Sequence, residues 1–151
     1  IEHVSASEHQ FDLLTSFELL EHLYDPFDFV KGIFRLLRPG GYVVLTTPNG
    51  LGFDVLNLWE NSKTIFPPHH INFFNPWSMR RLLTRAGFEE PEVTTPGKLD
   101  WDILEKAVDQ APRFFGYVSK YGSRESKEEF QQWITKSCFS SHMQIIARKP
   151  L

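Results

Sequence analysis

Residues 25–50, "DPFDFVKGIFRLLRPGGYVVLTTPNG", carry a complete set of boundary signals and constrain the fold more than any other stretch. Asp25 stands where a side-chain oxygen can cap a helix. Pro26 takes the first helical position, where its missing N–H costs nothing. Phe27, Val30, Ile33, Phe34 and Leu37 recur at helical spacing and predict one buried stripe. Arg35 and Arg38 lie at the end that favours cations, and Pro39, Gly40 and Gly41 stop the helix. "YVVLTT" (42–47) is apolar without alternation, the pattern of a strand covered on both faces. Upstream, "FDLLTSF" (11–17) reads as another buried strand. Strand, helix and strand with short turns make a βαβ unit, with parallel strands and a right-handed crossover.

The remaining segments extend this unit. "LGFDVLNLWENS" (51–62) is a candidate short helix and "KTIFPPHHINFF" (63–74) a loop. Asn75 and Pro76 open another helix, with Trp77, Met79, Leu82, Leu83 and Ala86 as its apolar positions and Gly87 at its end. "FEEPEVTTP" (88–96) predicts an edge strand, because Pro91 would remove a ladder bond from a central one. Residues 98–140 change character. "DWDILEKAVDQA" and "SKEEFQQWITKS" are amphipathic helix candidates on either side of a connector rich in Phe and Tyr. "HMQIIARK" (142–149) predicts a last strand. The order is α/β, and ligands of such sheets lie beyond the carboxyl ends of the strands.

Composition narrows the function classes. The chain has 151 residues, 41% of them apolar, and a formal charge of −3. Its Lys and Arg are scattered, so no basic patch points to nucleic acid or an anionic membrane. No stretch approaches the roughly 20 apolar residues of a membrane span. The start, "IEHVSASEHQ", lacks the charged and apolar regions of a signal peptide and lacks an initiator Met, which predicts a cytoplasmic protein whose chain begins inside a longer product. The single cysteine, Cys138, permits no internal disulfide.

"FDLLTSFELLEHLYDPFDFVKGIFRLLRPGGYVVLTTPN" resembles the middle of class I S-adenosylmethionine-dependent methyltransferases, in particular the subgroup of ubiquinone-biosynthesis O-methyltransferases. The residues that carry the likeness are "FD" opening a strand, "LEH" after it, "LLRPGG" closing the next helix, and the strand ending "TPN". "HHINFFNPWSMRRLLTRAGFE" and "SSHMQIIARKP" are similar to the segments around that family's last two strands. The resemblance implies a Rossmann-like class I methyltransferase fold in its C-terminal portion, strands four to seven with the last antiparallel, and a spatial order of fourth, fifth, seventh, sixth. Residues 1–151 would then be the C-terminal portion of a methyltransferase domain with a helical insertion at about 98–140. The family's glycine-rich turn and the acidic residue closing its second strand have no counterpart in residues 1–10. The implied function is methyl transfer from S-adenosylmethionine to a small-molecule acceptor, with oxygen favoured, the main cofactor site lying outside this chain. The alternative is a non-catalytic α/β module. It would pair with itself through the bared edge of "FDLLTSF" as a homodimer, or bind a partner.

The candidate site residues follow the two strand ends. Glu18, Glu21 and His22 fall at i, i+3 and i+4 and would share one side of a helical turn. Two carboxylates and an imidazole suit a divalent metal such as Mg²⁺, Mn²⁺ or Zn²⁺. The other reading is a turn in which Glu18 bonds the backbone and His22 packs under the sheet. By the resemblance, Ser16, Phe17 and Glu18 border the cofactor, while Glu21, His22 and His69 act on the acceptor. His69 is a candidate base, because neutral imidazole titrates near neutral pH. His70 is a candidate substrate contact or a structural residue. Asn49 is either a pocket wall or part of the turn "PNG".

Overall fold

The computed structural model describes residues 10–151. The reading of residues 1–9, as lacking a leader and a glycine-rich turn, lies outside the described residues. The elements are β1 (Phe11–Phe17), α1 (Pro26–Leu36), β2 (Leu37–Pro48), α2 (Phe53–Leu58), α3 (Pro76–Ala86), β3 (Glu92–Thr94), α4 (Asp100–Lys106), α5 (Arg113–Tyr121), α6 (Arg124–Lys136) and β4 (His142–Arg148). The sheet order is β1-β2-β4-β3, with β1 parallel to β2 and β4 antiparallel to both β2 and β3. That is the strand order and direction expected for the four strands of a Rossmann-like methyltransferase sheet.

The helix boundaries follow the capping chemistry. The Asp25 carboxylate accepts from the Asp28 N–H at 2.8 Å, with Pro26 in the first turn of α1. Asn75 and Ser78 form a reciprocal capping box at the start of α3. Gly87 ends α3 at φ 110°, and a Cβ there would lie 3.0 Å from the Phe34 ring. Only glycine satisfies both the left-handed backbone and that close approach.

Several expectations need correction, among them that of 11–17 as a buried strand, since most of β1 is exposed. β2 begins at Leu37, not Tyr42, and runs through Pro39, Gly40 and Gly41. The cause is pairing. Phe11 lies opposite Leu37, and Gly40 and Gly41 exchange backbone bonds with Lys149, so a run that reads as a helix stop is held extended by its neighbours. Secondly, β2 is not covered on both faces. Val43, Leu45 and Thr47 are buried, while Tyr42, Val44 and Thr46 on the opposite face are not. α1 and α3 cover only the first face, where Val30, Ile33, Met79 and Leu83 join Val43, Leu45 and Ile145 in one core. Leu13 and Phe17 share the open face with Tyr42 and are 53%, 60% and 45% exposed. Thirdly, the connector between the two expected helices is itself helical, as α5. The edge strand of 88–96 shortens to β3.

Helices α2, α4, α5 and α6 form a second core around Phe53, Leu58, Trp101, Leu104, Phe115 and Ile134. Phe115 is part of that core and Phe114 is exposed. Buried Asp100 ties this helical unit to the start of β4. One of its oxygens accepts from both the N–H and the hydroxyl of Ser141 at 2.7 Å, and the other from Gln131 at 2.7 Å.

Candidate functional site at the carboxyl ends of the parallel strands

β1 and β2 end side by side, and the turn after β1 carries the site. Glu18 follows the strand at φ 48°, its N–H still donating to the Thr46 carbonyl. A single 3₁₀ turn, Leu20–His22, comes next. Glu18 therefore precedes that turn and does not share its face. The three-residue set expected on one side of a helix is split.

Glu21 is 1% exposed. One carboxylate oxygen accepts from Thr47 Oγ1 at 2.9 Å, and the other lies 3.8 Å from His22 Nε2. The loop 66–74 closes over it. The N–H groups of Ile71 and Asn72 donate to the Glu21 carbonyl, and the Asn72 side chain donates to the carbonyls of Leu20 and Leu23. That clamp brings in His70, whose ring meets that of His22 edge-on at 4.9 Å between centroids. Ligand atoms of Glu21, His22 and His70 all lie within 4.8 Å of one another.

The tautomers follow from the partners. His22 Nδ1 faces the His69 carbonyl at 2.8 Å, and His70 Nδ1 faces the Thr64 carbonyl at 2.8 Å. A carbonyl only accepts, so both rings carry hydrogen on Nδ1 and present a bare lone pair at Nε2 when neutral. Backbone carbonyls on the far nitrogens are also how metal-binding imidazoles are oriented.

The other expected residues fall elsewhere. His69 contributes its carbonyl, while its ring is exposed and stacks on Phe66 at 5.0 Å. Ser16 is half-buried, opposite Leu45, and Phe17 is on the open face. Asn49 is fully buried. Its amide donates to the carbonyls of Cys138 and Ser140, and its oxygen accepts from the Leu51 N–H. Both amide hydrogens are spent joining the end of β2 to the segment before β4, and the oxygen holds the turn that follows β2.

Glu18 turns instead toward His142, with Oε2 3.3 Å from Nε2. The hydrogen bond with His142 holds the Glu18 carboxyl below its usual range, and the same bond, against burial, holds His142 above its own. This pair was not legible from spacing, since the two residues lie at opposite ends of the chain. His142's stabilisation is complete below about pH 6.5 and lost as pH rises through its raised value; Glu18's is complete above about pH 4.5 and lost as pH falls through its lowered one. The pair therefore stabilises the fold most at about pH 4.5–6.5. Thermal melts of the native chain and His142→Gln should differ most in that interval and converge as the pH rises past the raised His142 value. A difference in Tm that is the same at both ends would show that the pair acts without charge.

Glu18, Pro48, Asp54, Thr64, His70 and His142 stand around a cavity of about 230 Å³. A half-open α/β sheet of this strand order defines a Rossmann-like fold, and the buried carboxylate, two oriented imidazoles and this cavity at its carboxyl ends make a candidate site there. A family model described as a methyltransferase domain matches residues 1–92. The ubiquinone biosynthesis O-methyltransferase of Psychrobacter cryohalolentis is 52% identical over 142 residues, covering 94% of this chain and 47% of that protein. The ubiquinone biosynthesis O-methyltransferase of Vibrio cholerae is 38% identical over 99 residues, 61% of this chain and 40% of that one. Among solved structures, phosphoethanolamine N-methyltransferase 2 of Haemonchus contortus, in complex with S-adenosyl-L-methionine, superimposes with a TM-score of 0.57 at 19% identity over 93% of this chain and 34% of its own, a likeness of fold. The chain belongs to the methyltransferase-domain family, and it spans less than half the length of the two curated relatives named here. Among the described residues, no helix is long and apolar enough to cross a membrane.

Proposed function

We propose that this chain is the acceptor-side, C-terminal portion of an enzyme that transfers the methyl group of S-adenosylmethionine to a small molecule, with oxygen as the favoured acceptor atom. The observation that carries the reading is the convergence of buried Glu21 with the imidazoles of His22 and His70 beyond the parallel strand ends. His22 Nε2 is placed to take a proton from an acceptor hydroxyl, and the Glu21 carboxylate, fixed by Thr47, then faces the imidazolium. His70 presents a second lone pair to the same space. Ser16 and Phe17, at the end of β1, would border the cofactor.

The described residues do not fit the adenosyl part of that cofactor. The link from β1 to α1, residues 18–25, contains no glycine, and a Cβ on Gly41 or Gly52 would meet backbone oxygens at 3.0 Å and 2.8 Å. These glycines are filled by their own fold and cradle nothing. As an alternative to the proton-transfer role, Glu21, His22 and His70 could hold a divalent metal, His22 Nε2 then being a ligand and not the base, with Glu18 excluded by its turn toward His142. Bound there, the ion would act as a Lewis acid on the acceptor hydroxyl.

The longer protein that contains this chain should transfer label from methyl-labelled S-adenosylmethionine to a hydroxyl-bearing acceptor. If the folded protein labels no hydroxyl, amine or carbon acceptor in a broad panel, the reading is wrong. The 151-residue chain alone should show no saturable binding of S-adenosylhomocysteine at micromolar concentration.

The open sheet face favours a second role for the isolated chain. Among the described residues nothing pairs with the outer edge of β1, beside which Leu13, Phe17 and Tyr42 form an apolar patch. In the whole protein this face would be covered by the other half of the domain. The isolated chain is expected to sediment as a dimer or larger species at high protein concentration, and Phe17→Lys should return it to monomer. A monomeric native chain would count against the face being an interface.

A further inference from the structure

Beside the cavity at the strand ends lies a second cleft that this chemistry leaves unused. It holds about 370 Å³ and runs between the end of α2 and one face of α4. Leu58, Asn61 and Lys63 form one side. Ile103, Lys106, Ala107 and Gln110, spaced i, i+3, i+4 and i+7, form the other. Lys63 and Ile103 also line the cavity of about 230 Å³, so the two spaces share that wall. Leu58, Ile103 and Ala107 make the cleft apolar between its polar rims, Leu58 being buried in the helical core. No carboxylate lines it, and among the described residues neither lysine forms an ion pair. A cleft lined by one sign of charge concentrates ions of the other sign. Across Lys63 and Ile103 the sign reverses, because the neighbouring cavity carries the carboxylates of Glu18 and Asp54. The root of Lys63 is fixed. The hydroxyls of Ser62 and Thr64, on either side of it, both donate to Asp54, and the Thr64 N–H donates to Ser62 Oγ. Those two residues are buried, while Lys63 and Lys106 are exposed and within reach of a molecule in the cleft.

We propose that this cleft is an anion subsite of the acceptor pocket: Lys63 and Lys106 bind a carboxylate or phosphate group of the acceptor, and the apolar stretch between them and the cavity holds the ring or short chain that carries the reacting hydroxyl. The two ammonium groups supply charge, and the amides of Asn61 and Gln110 offer further N–H donors to the same anion. Charge also fixes the direction of the molecule. Its anionic end is held at the lysines and repelled by Glu18 and Asp54, so a neutral hydroxyl at the other end turns toward the cavity that holds His70. The acceptor class is therefore a small hydroxy acid or hydroxylated phosphate ester. The inference rests on the acceptor-side reading, but its test uses neither a methyl donor nor turnover, so either can fail alone.

The test compares four probes on the 151-residue chain by protein-observed NMR. Para-hydroxyphenylpropionate offers a carboxylate and phenyl phosphate a phosphate. Para-hydroxyphenylpropionamide has the shape of the first without its charge, and tyramine carries a cation. The carboxylate, the phosphate or both should bind at least tenfold more tightly than the amide and tyramine, with shifts at Lys63, Ile103 and Ala107. A lead of either anion supports the subsite and tells which group it reads. Lys63 and Lys106 are exposed and unpaired among the described residues, so the double variant Lys63→Gln with Lys106→Gln should stay folded. In it the propionate and its amide should bind alike. A smaller preference in the native chain overturns the proposal without recourse to any variant. So do shifts confined to other surfaces, no saturable binding of either anion at millimolar concentration, or an undiminished preference in the folded double variant.

Discussion

Asn49→Ala is expected to lower the stability of the chain by about 3 kcal/mol, read as a shift of the urea midpoint at constant slope. The side chain joins three backbone groups: the carbonyls of Cys138 and Ser140 and the N–H of Leu51. Alanine leaves all three short of a partner in a place that is fully buried at Asn49. Each orphaned group costs about 1 kcal/mol or more, which is why the sum is large for one polar residue. Asn49→Asp separates shape from chemistry. It keeps the acceptor for Leu51 but turns a carboxylate oxygen toward two carbonyls, and should be worse than alanine. A loss below about 0.5 kcal/mol in both variants would show that solvent replaces the side chain and that the brace is dispensable.

Glu21→Gln and His22→Ala, made in the longer protein, are each expected to reduce turnover by more than about tenfold, a barrier change of about 1.4 kcal/mol. Glutamine retains an oxygen for the Thr47 hydroxyl, so the fold should hold while the charge facing His22 disappears. Groups that act on the transition state lower kcat together with kcat/KM. Chelation should reproduce both losses if a metal is held by Glu21, His22 and His70, and added Mg²⁺ or Zn²⁺ should restore activity. If a chelator has no effect while the substitutions still impair turnover, the proton-transfer role stands and the metal role falls. A His22→Ala protein that melts many degrees lower yet turns over normally would make His22 a structural residue. His70→Ala tests the revised grouping: it should behave like His22→Ala, whereas His69→Ala should be nearly silent, because only the carbonyl of His69 is used.

Local chemistry explains what was legible in the sequence. Asp25 with Pro26, and Asn75 with Pro76, mark helix starts that the capping bonds then realise. The strand order needed more than local signals and came through the family resemblance. The errors lie where neighbours overrule a local signal. Pro39, Gly40 and Gly41 break a helix, yet the same residues are extended once Phe11 and Lys149 bond beside them. α5 was hidden because Gly116 and a run of aromatics dilute its helical pattern, and only burial of Phe115 against Phe53 and Trp101 reveals the face it uses.

At the site, proximity in sequence misled and distance in sequence concealed. Glu18 is three residues from Glu21, but one left-handed φ sends its carboxylate to His142. His70 joins Glu21 because Asn72 and two N–H groups lash its loop to the turn after β1, and no spacing rule announces that. Lys63 and Lys106 read in the sequence only as two scattered cations, and packing alone sets them on the two sides of one cleft.

The two separate cores give the cavity a mechanical meaning. One wall, with Glu18, Pro48 and His142, belongs to the sheet; the other, with Asp54 and Ile103, belongs to the helical unit, which is joined to the sheet through Asp100 and Ser141. The cavity is thus a seam between two bodies that each keep their own apolar interior. A molecule lodged there grips both, so its binding free energy also resists their parting, and ligand occupancy and the cohesion of the chain rise and fall together.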